Sequence, residues 1–148
     1  MTTLEKLLLS GLGGAVALNA LHETVRQTEP KAPHVQKLGE RSIQKITKAM
    51  DVPTPTGNVL YATAMAGNLT ANMLYYSLIG TAKAEAVWAL GAALGALAGT
   101  GAVTLAGPLG LGDAPVRRTA TTAVLTVAWY VVGGLATTSI FSWLNRQK

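Results

Sequence analysis

A 148-residue chain in which 49% of the residues are hydrophobic and only 13% charged carries about half the charge of an ordinary soluble domain. Its apolar residues fall in long uncharged runs, which leaves room for one domain of about four membrane spans and no soluble domain beside it. The net charge of +5 does not point to nucleic acid, because the basic residues flank the hydrophobic runs, where they orient membrane segments; with no cysteine there is no disulfide, iron–sulfur cluster or thiolate metal site.

The first hydrophobic run, Leu7–Leu21, extends to residues 4–22 once Leu4 and a snorkelling Lys6 are included. Lys6, an apolar core and Ala15-Val16-Ala17 also fit a signal peptide. The helical pattern nevertheless runs on through His22, Glu23 and Arg26, where a signal peptide would break, so the segment reads as a span. Asn19, His22, Glu23 and Arg26 share one face of it and form a charged cluster at a membrane mouth. Glu23 and Arg26 stand at the favourable i, i+3 spacing, and an imidazole changes charge near neutral pH. Two readings follow: His22 gates or relays a proton, or an interfacial ion pair ends the span.

Thr28–Pro33, with prolines at 30 and 33, stops the helix. The segment 35–50 is amphipathic at a helical period: Val35, Leu38, Ile43, Ile46 and Met50 fall in one arc, and Lys37, Arg41, Lys45 and Lys48 form a basic stripe. Such a helix lies along a membrane with its cations at lipid headgroups, or packs its apolar side on the protein's own inner face. Asp51–Gly57 is a second break, and residues 58–80 form an uncharged second span. Asn58, Tyr61, Met65, Asn68, Asn72 and Tyr75 recur along one of its faces. Asparagine in hydrocarbon is costly without partners, so this face holds helices together or lines a path for a solute.

The short connection Thr81–Glu85 predicts an antiparallel hairpin between the second span and a third at residues 86–107. There Gly91, Gly95 and Gly99 repeat every four residues and bare one helical face for close helix packing, within the chain or between copies of it. A Gly- and Pro-rich turn follows, with Asp113 expected to cap the next helix. The fourth span covers residues 119–141, and Thr119, Thr122, Thr126, Tyr130, Gly133 and Thr137 line one face of it. Set opposite the asparagines, that row completes a polar seam, and the expected pore or solute lining is Asn58, Tyr61, Asn68, Asn72, Thr126, Tyr130 and Thr137.

Arg26, Lys31, Lys37, Arg41, Lys45, Lys48, Arg117 and Arg118 follow spans one and three, against Lys6, Lys83, Arg146 and Lys148 on the other side. The positive-inside rule then puts the 23–57 loop in the cytoplasm and both termini outside, in a membrane expected to be a bacterial inner membrane. Tyr75, Tyr76, Trp88 and Trp143 would share the outer interface.

All seven acids lie at span ends or in loops, away from the mid-membrane positions that cation-coupled carriers use. His22 and His34 are not spaced as a metal pair, and the chain lacks the Gly-x-Ser-x-Gly, P-loop and His-Glu-x-x-His motifs. The expectation is no metal, no cofactor and, on balance, no enzyme, a lipid-processing use of His22 and Glu23 being the most distant reading. Gly133-Gly134-Leu135-Ala136-Thr137-Thr138-Ser139-Ile140-Phe141-Ser142 resembles the Gly-Gly…Thr-Thr-Phe-Ser segment of small four-span fluoride channels, and Gly11-Leu12-Gly13-Gly14-Ala15 is similar to their glycine-rich first span. The chain departs from that family in having one phenylalanine, in carrying the segment in its last span, and in lacking an arginine after the first glycines.

The expected object is thus an all-α integral membrane protein with four transmembrane helices and one amphipathic interfacial helix, assembled as a homo-oligomer. Its expected function is a channel or facilitator for a small neutral or anionic solute. The alternative is a non-transporting module that binds membrane lipid or a partner protein through its basic helix.

Overall fold

The computed structural model describes residues 1–147; Lys148, one of the four basic residues counted above at the termini side, lies outside them. The chain is all-α, with helices α1 (Thr3–Arg26), α2 (Val35–Ala49), α3 (Gly57–Ser77), α4 (Val87–Leu105), α5 (Ala114–Arg117) and α6 (Ala120–Arg146), and a 3-10 turn at Leu78–Thr81 after α3. Helix α1 opens on a capping box: the Glu5 N–H donates to Thr2 Oγ1 at 3.2 Å and the Thr2 N–H to Glu5 Oε2 at 2.9 Å. The last long helix is capped not by Asp113, whose side chain caps nothing, but by Thr119, which accepts from the Thr122 N–H at 3.0 Å. Asp113 instead heads the single turn of α5 through its backbone carbonyl.

Helices α1, α4 and α6 are long and apolar enough to cross a membrane. At 21 residues α3 is also long enough, but its asparagines, threonines and tyrosines are spread so that no span-length stretch of it reaches the hydropathy of those in the other three.

The order of packing differs from the order of the chain. Helix α6 lies between α4 and α1, α1 lies between α6 and α3, and α2 rests on α3. Both close junctions depend on glycine. A methyl group on Gly95 would lie 2.6 Å from the Tyr130 carbonyl oxygen and 2.6 Å from Val131 Cα, and one on Gly99 would lie 2.6 Å from Val127 Cα. Gly91 meets Thr138, and Gly134 meets the Gly91 carbonyl. On the other side of α6, Gly14 faces Thr137 and the Gly133 carbonyl. The bare face of α4 is therefore filled by α6 of the same chain and is not left open to a second copy.

Tyrosines bridge what the helices leave apart. Tyr76, fully buried, donates its hydroxyl to the Tyr130 carbonyl at 2.7 Å, and Tyr75 donates to the Leu94 carbonyl at 3.0 Å. Tyr76 is thus a core residue rather than a member of an interfacial aromatic belt, whereas Trp88 and Trp143 are half exposed. Lys6 Nζ reaches Asn145 Oδ1 at 3.1 Å, so both chain ends meet at one end of the bundle. At the other, Arg118 donates to the Pro30 and Ala32 carbonyls and Thr122 to the Lys31 carbonyl, which joins the 27–34 and 106–119 segments.

Gly95→Ala is expected to destabilise the protein by about 1–3 kcal/mol or more, because its new methyl group meets backbone that cannot turn aside. Gly67→Ala, which meets nothing within 4 Å, should gain about 0.5–1 kcal/mol from helix propensity. Thermal midpoints of the two variants in one detergent check this, and equal midpoints would remove the close-approach account.

Candidate functional site

The polar face of α3 is knitted to α1 by a directional run of amides. Asn72 Nδ2 donates to Asn68 Oδ1 at 2.9 Å, Asn68 Nδ2 to Asn19 Oδ1 at 3.0 Å, and Asn19 Nδ2 to the Ala15 carbonyl at 2.8 Å. Asn72 is buried, Asn19 and Asn68 half-buried. Each amide satisfies the next, which answers the cost of placing asparagine away from water. Two other members of the α3 face are not drawn in: Asn58 and Tyr61 are exposed.

The threonine row of α6 faces elsewhere. The Thr126 hydroxyl donates to the Thr122 carbonyl at 2.8 Å and the Val116 carbonyl at 3.2 Å, and Thr137 to the Gly133 carbonyl at 3.0 Å. Thr138, which the face reading omitted, donates to the Gly134 carbonyl at 3.1 Å and the Val87 carbonyl at 3.3 Å. Thr137 and Thr138 sit in the glycine-lined junctions of α6 with α1 and α4, and Thr126 sits against α5, while α1 stands between α6 and the asparagines. A seam with asparagines on one wall and threonines on the other does not form within one copy of the chain. Thr137 and Thr138 belong to the segment that resembles the fluoride channels, and here their hydroxyls are engaged by backbone.

The cluster at the end of α1 divides in the same way. Asn19 turns to α3, and Glu23 and Arg26 pair with each other at 2.5 Å. His22 is buried against α6, its ring centroid 4.9 Å from Trp129 and 6.0 Å from Tyr130, and its Nε2 has no hydrogen-bond partner.

Helix α2 packs on the protein through its first half and leaves apolar residues of its second half uncovered. Val35 is buried against Ala106 and Val116, with Leu38 packed beside them, while Ile46 and Met50 are more than half exposed. Two of its four stripe cations dock on the loop after α4. Gly110 and Gly112 adopt left-handed backbone (φ 69° and 70°), which side chains disfavour. The carbonyls just before them are taken by Lys45 Nζ at 2.5 Å from Leu109 and Arg41 Nη1 at 2.6 Å from Leu111. Lys37 and Lys48 remain exposed.

Two hollows flank α2. A groove of about 390 Å³ between α2 and α3 is lined mainly by apolar groups, among them Leu38, Ile43, Ile46, Ala64, Gly67 and Ala71, with Ser42, Asn68 and Tyr130 as its polar members. A second, of about 170 Å³, is lined by His34, Lys37, Arg41, Ala114, Pro115 and Arg118. Burial, then the charges of Arg118, Lys37 and Arg26, hold the His34 imidazole below its usual pKa. Among the described residues no group of three or more His, Asp or Glu side chains gathers as a metal site.

Set against known protein families, curated proteins and solved structures, the chain matches none.

Sequence reasoning missed the Gly133–Gly134 pair as a packing surface and missed His34 and Arg118 as neighbours of the basic stripe. The first had a local signal, adjacent glycines in a span. His34 had one as well, standing three residues before Lys37 at the stripe's own spacing, whereas Arg118 had none, because α2 and the α5–α6 junction meet only in the folded chain.

The amide run predicts measurable coupling. Asn19→Leu and Asn68→Leu should each cost about 0.6–2 kcal/mol, and the double mutant should cost less than their sum by about 0.6 kcal/mol. A thermodynamic cycle in detergent reads this, and strict additivity would deny the Asn19–Asn68 contact.

Proposed function

We propose that the protein is a non-transporting, membrane-embedded lipid-binding module with α2 as its working element. In this reading α3 is a fourth span beside α1, α4 and α6. Its two central asparagines are bonded within the bundle, and Thr63 on its outer face donates back to the Val59 carbonyl at 2.8 Å, so its polarity need not meet lipid. Helix α2 then lies along the interface. By the positive-inside rule its side is the cytoplasmic one, with both termini outside.

One observation carries the reading. Helix α2 is bolted to the bundle by Val35, Arg41 and Lys45 and touches α3 where Gly39 faces Ala64, and beside that contact the two helices leave the apolar groove, whose lining includes the exposed Ile46. An acyl chain suits that groove in bore and chemistry, and Lys37 and Lys48 are exposed on the same helix for a headgroup. The solute-channel reading draws less support, since the asparagines and threonines that were to line one path bond within separate junctions.

Gly67→Phe tests this, because the glycine lines the groove and a side chain there meets no neighbouring atom at Cβ. The variant should fold with an unchanged melting point and lose about tenfold in affinity for a fluorescent single-chain lipid. Wild-type protein in liposomes should pass none of a panel of small solutes. Undiminished lipid binding by Gly67→Phe, or solute flux by the wild type, would overturn the proposal.

A further inference from the structure

The smaller hollow joins elements that are distant in the chain. His34 and Lys37 come from the start of α2, Arg41 from its next turn, and Arg118 from the turn between α5 and α6. Ala114 and Pro115 complete it, and none of its lining residues is acidic. The nearest acid in the α5 segment, Asp113, is well exposed and stands 4.0 Å from Arg117. Bringing three permanent cations and an imidazole together without a carboxylate is unfavourable unless an anion joins them.

The groups are also braced from behind. Arg118 gives Nη2 to the Pro30 and Ala32 carbonyls, Arg41 gives Nη1 to the Leu111 carbonyl, and the His34 N–H holds the Pro115 carbonyl at 2.8 Å. Each guanidinium has five N–H donors, so both keep donors for a ligand while their planes are fixed. His34 Nδ1 is buried without a partner. The first turn of α2, to which Lys37 belongs, carries no acid and no side-chain cap, so its positive end adds to the field.

We propose that the hollow formed by His34, Lys37, Arg41 and Arg118 is a binding site for a phosphate group, either free or as the headgroup of a phospholipid. Guanidinium forks match the paired oxygens of phosphate, and the hollow's volume of about 170 Å³ suits one tetrahedral anion with a small substituent. The site goes beyond the acyl groove and does not depend on it. Gly67→Phe, which blocks the groove, leaves these four side chains untouched.

The test uses the full chain in phosphatidylcholine nanodiscs, titrated with inorganic phosphate, and in discs doped with phosphatidic acid. Binding should be saturable and should raise the pKa of His34, followed by NMR of its ring. Lys37→Gln, an exposed residue with no protein hydrogen bond to lose, should weaken binding about tenfold or more with the melting point unchanged. Arg118→Gln should weaken it further, and Lys31→Gln, an exposed cation outside the hollow, should not. A response to inorganic phosphate identifies the free anion as ligand, and a response confined to phosphatidic acid identifies the headgroup. Equal losses in Lys37→Gln and Lys31→Gln would mean diffuse attraction rather than a site, and no Lys37-dependent binding of either probe would overturn the proposal.

Discussion

Contact of helix backbones along both sides of α6 is the constraint on which the rest of the structure depends. Between apolar helices in lipid there is no hydrophobic driving force, so cohesion comes from van der Waals contact and hydrogen bonds, and both grow as backbones approach. Gly91, Gly95 and Gly99 supply the approach from α4 and Gly14 supplies it from α1; Gly134 receives Gly91, Gly133 receives Gly14, and Gly95 and Gly99 close on the backbone of Val127, Tyr130 and Val131. The threonine hydroxyls then fall within reach of carbonyls, and Thr138 bridges α6 to the Val87 carbonyl of α4. Small residues and threonines thus form one device, in which the first let the helices close and the second remove the polar cost of closing.

Once α6 is held between α4 and α1, little freedom remains for α3. It packs on α1, where the amide run ending at Ala15 satisfies its asparagines, and its tyrosines span the remaining distance to α4 and α6. The polar residues of the spans therefore serve cohesion. The groove and the basic hollow both lie beside α2, outside the junctions that hold the spans together.

The glycine face was legible because a four-residue repeat in an uncharged run has one physical meaning. Its partner was not, since Gly11, Gly14, Gly133 and Gly134 make equally good surfaces and sequence does not choose among them. The periodicity of α2 and the breaks at Pro30, Pro33 and Pro53 were likewise readable, and helix boundaries fall close to them. The asparagine face was read as a face, but Asn58 and Tyr61, in the first turns of α3, stay exposed, and it is Asn68 that bonds to a side chain of α1. Tyr76 was misplaced for a related reason: a tyrosine near a span end fits an interface, and only the distance to the Tyr130 carbonyl makes it interior. Arg41 and Lys45 looked like free headgroup ligands until left-handed glycines in a distant loop presented carbonyls to them.

That α4 meets α6 within one chain is the central claim. Because the chain has no cysteine, a pair can be introduced without background. Thr100 and Val127 both line the outer groove between α4 and α6, so Thr100→Cys with Val127→Cys should be joined by a short bifunctional maleimide in native membranes. The account predicts a loop within one polypeptide, running at monomer size and recovered by mass spectrometry as a linked pair from one chain. Cross-links found only between two polypeptides would contradict it.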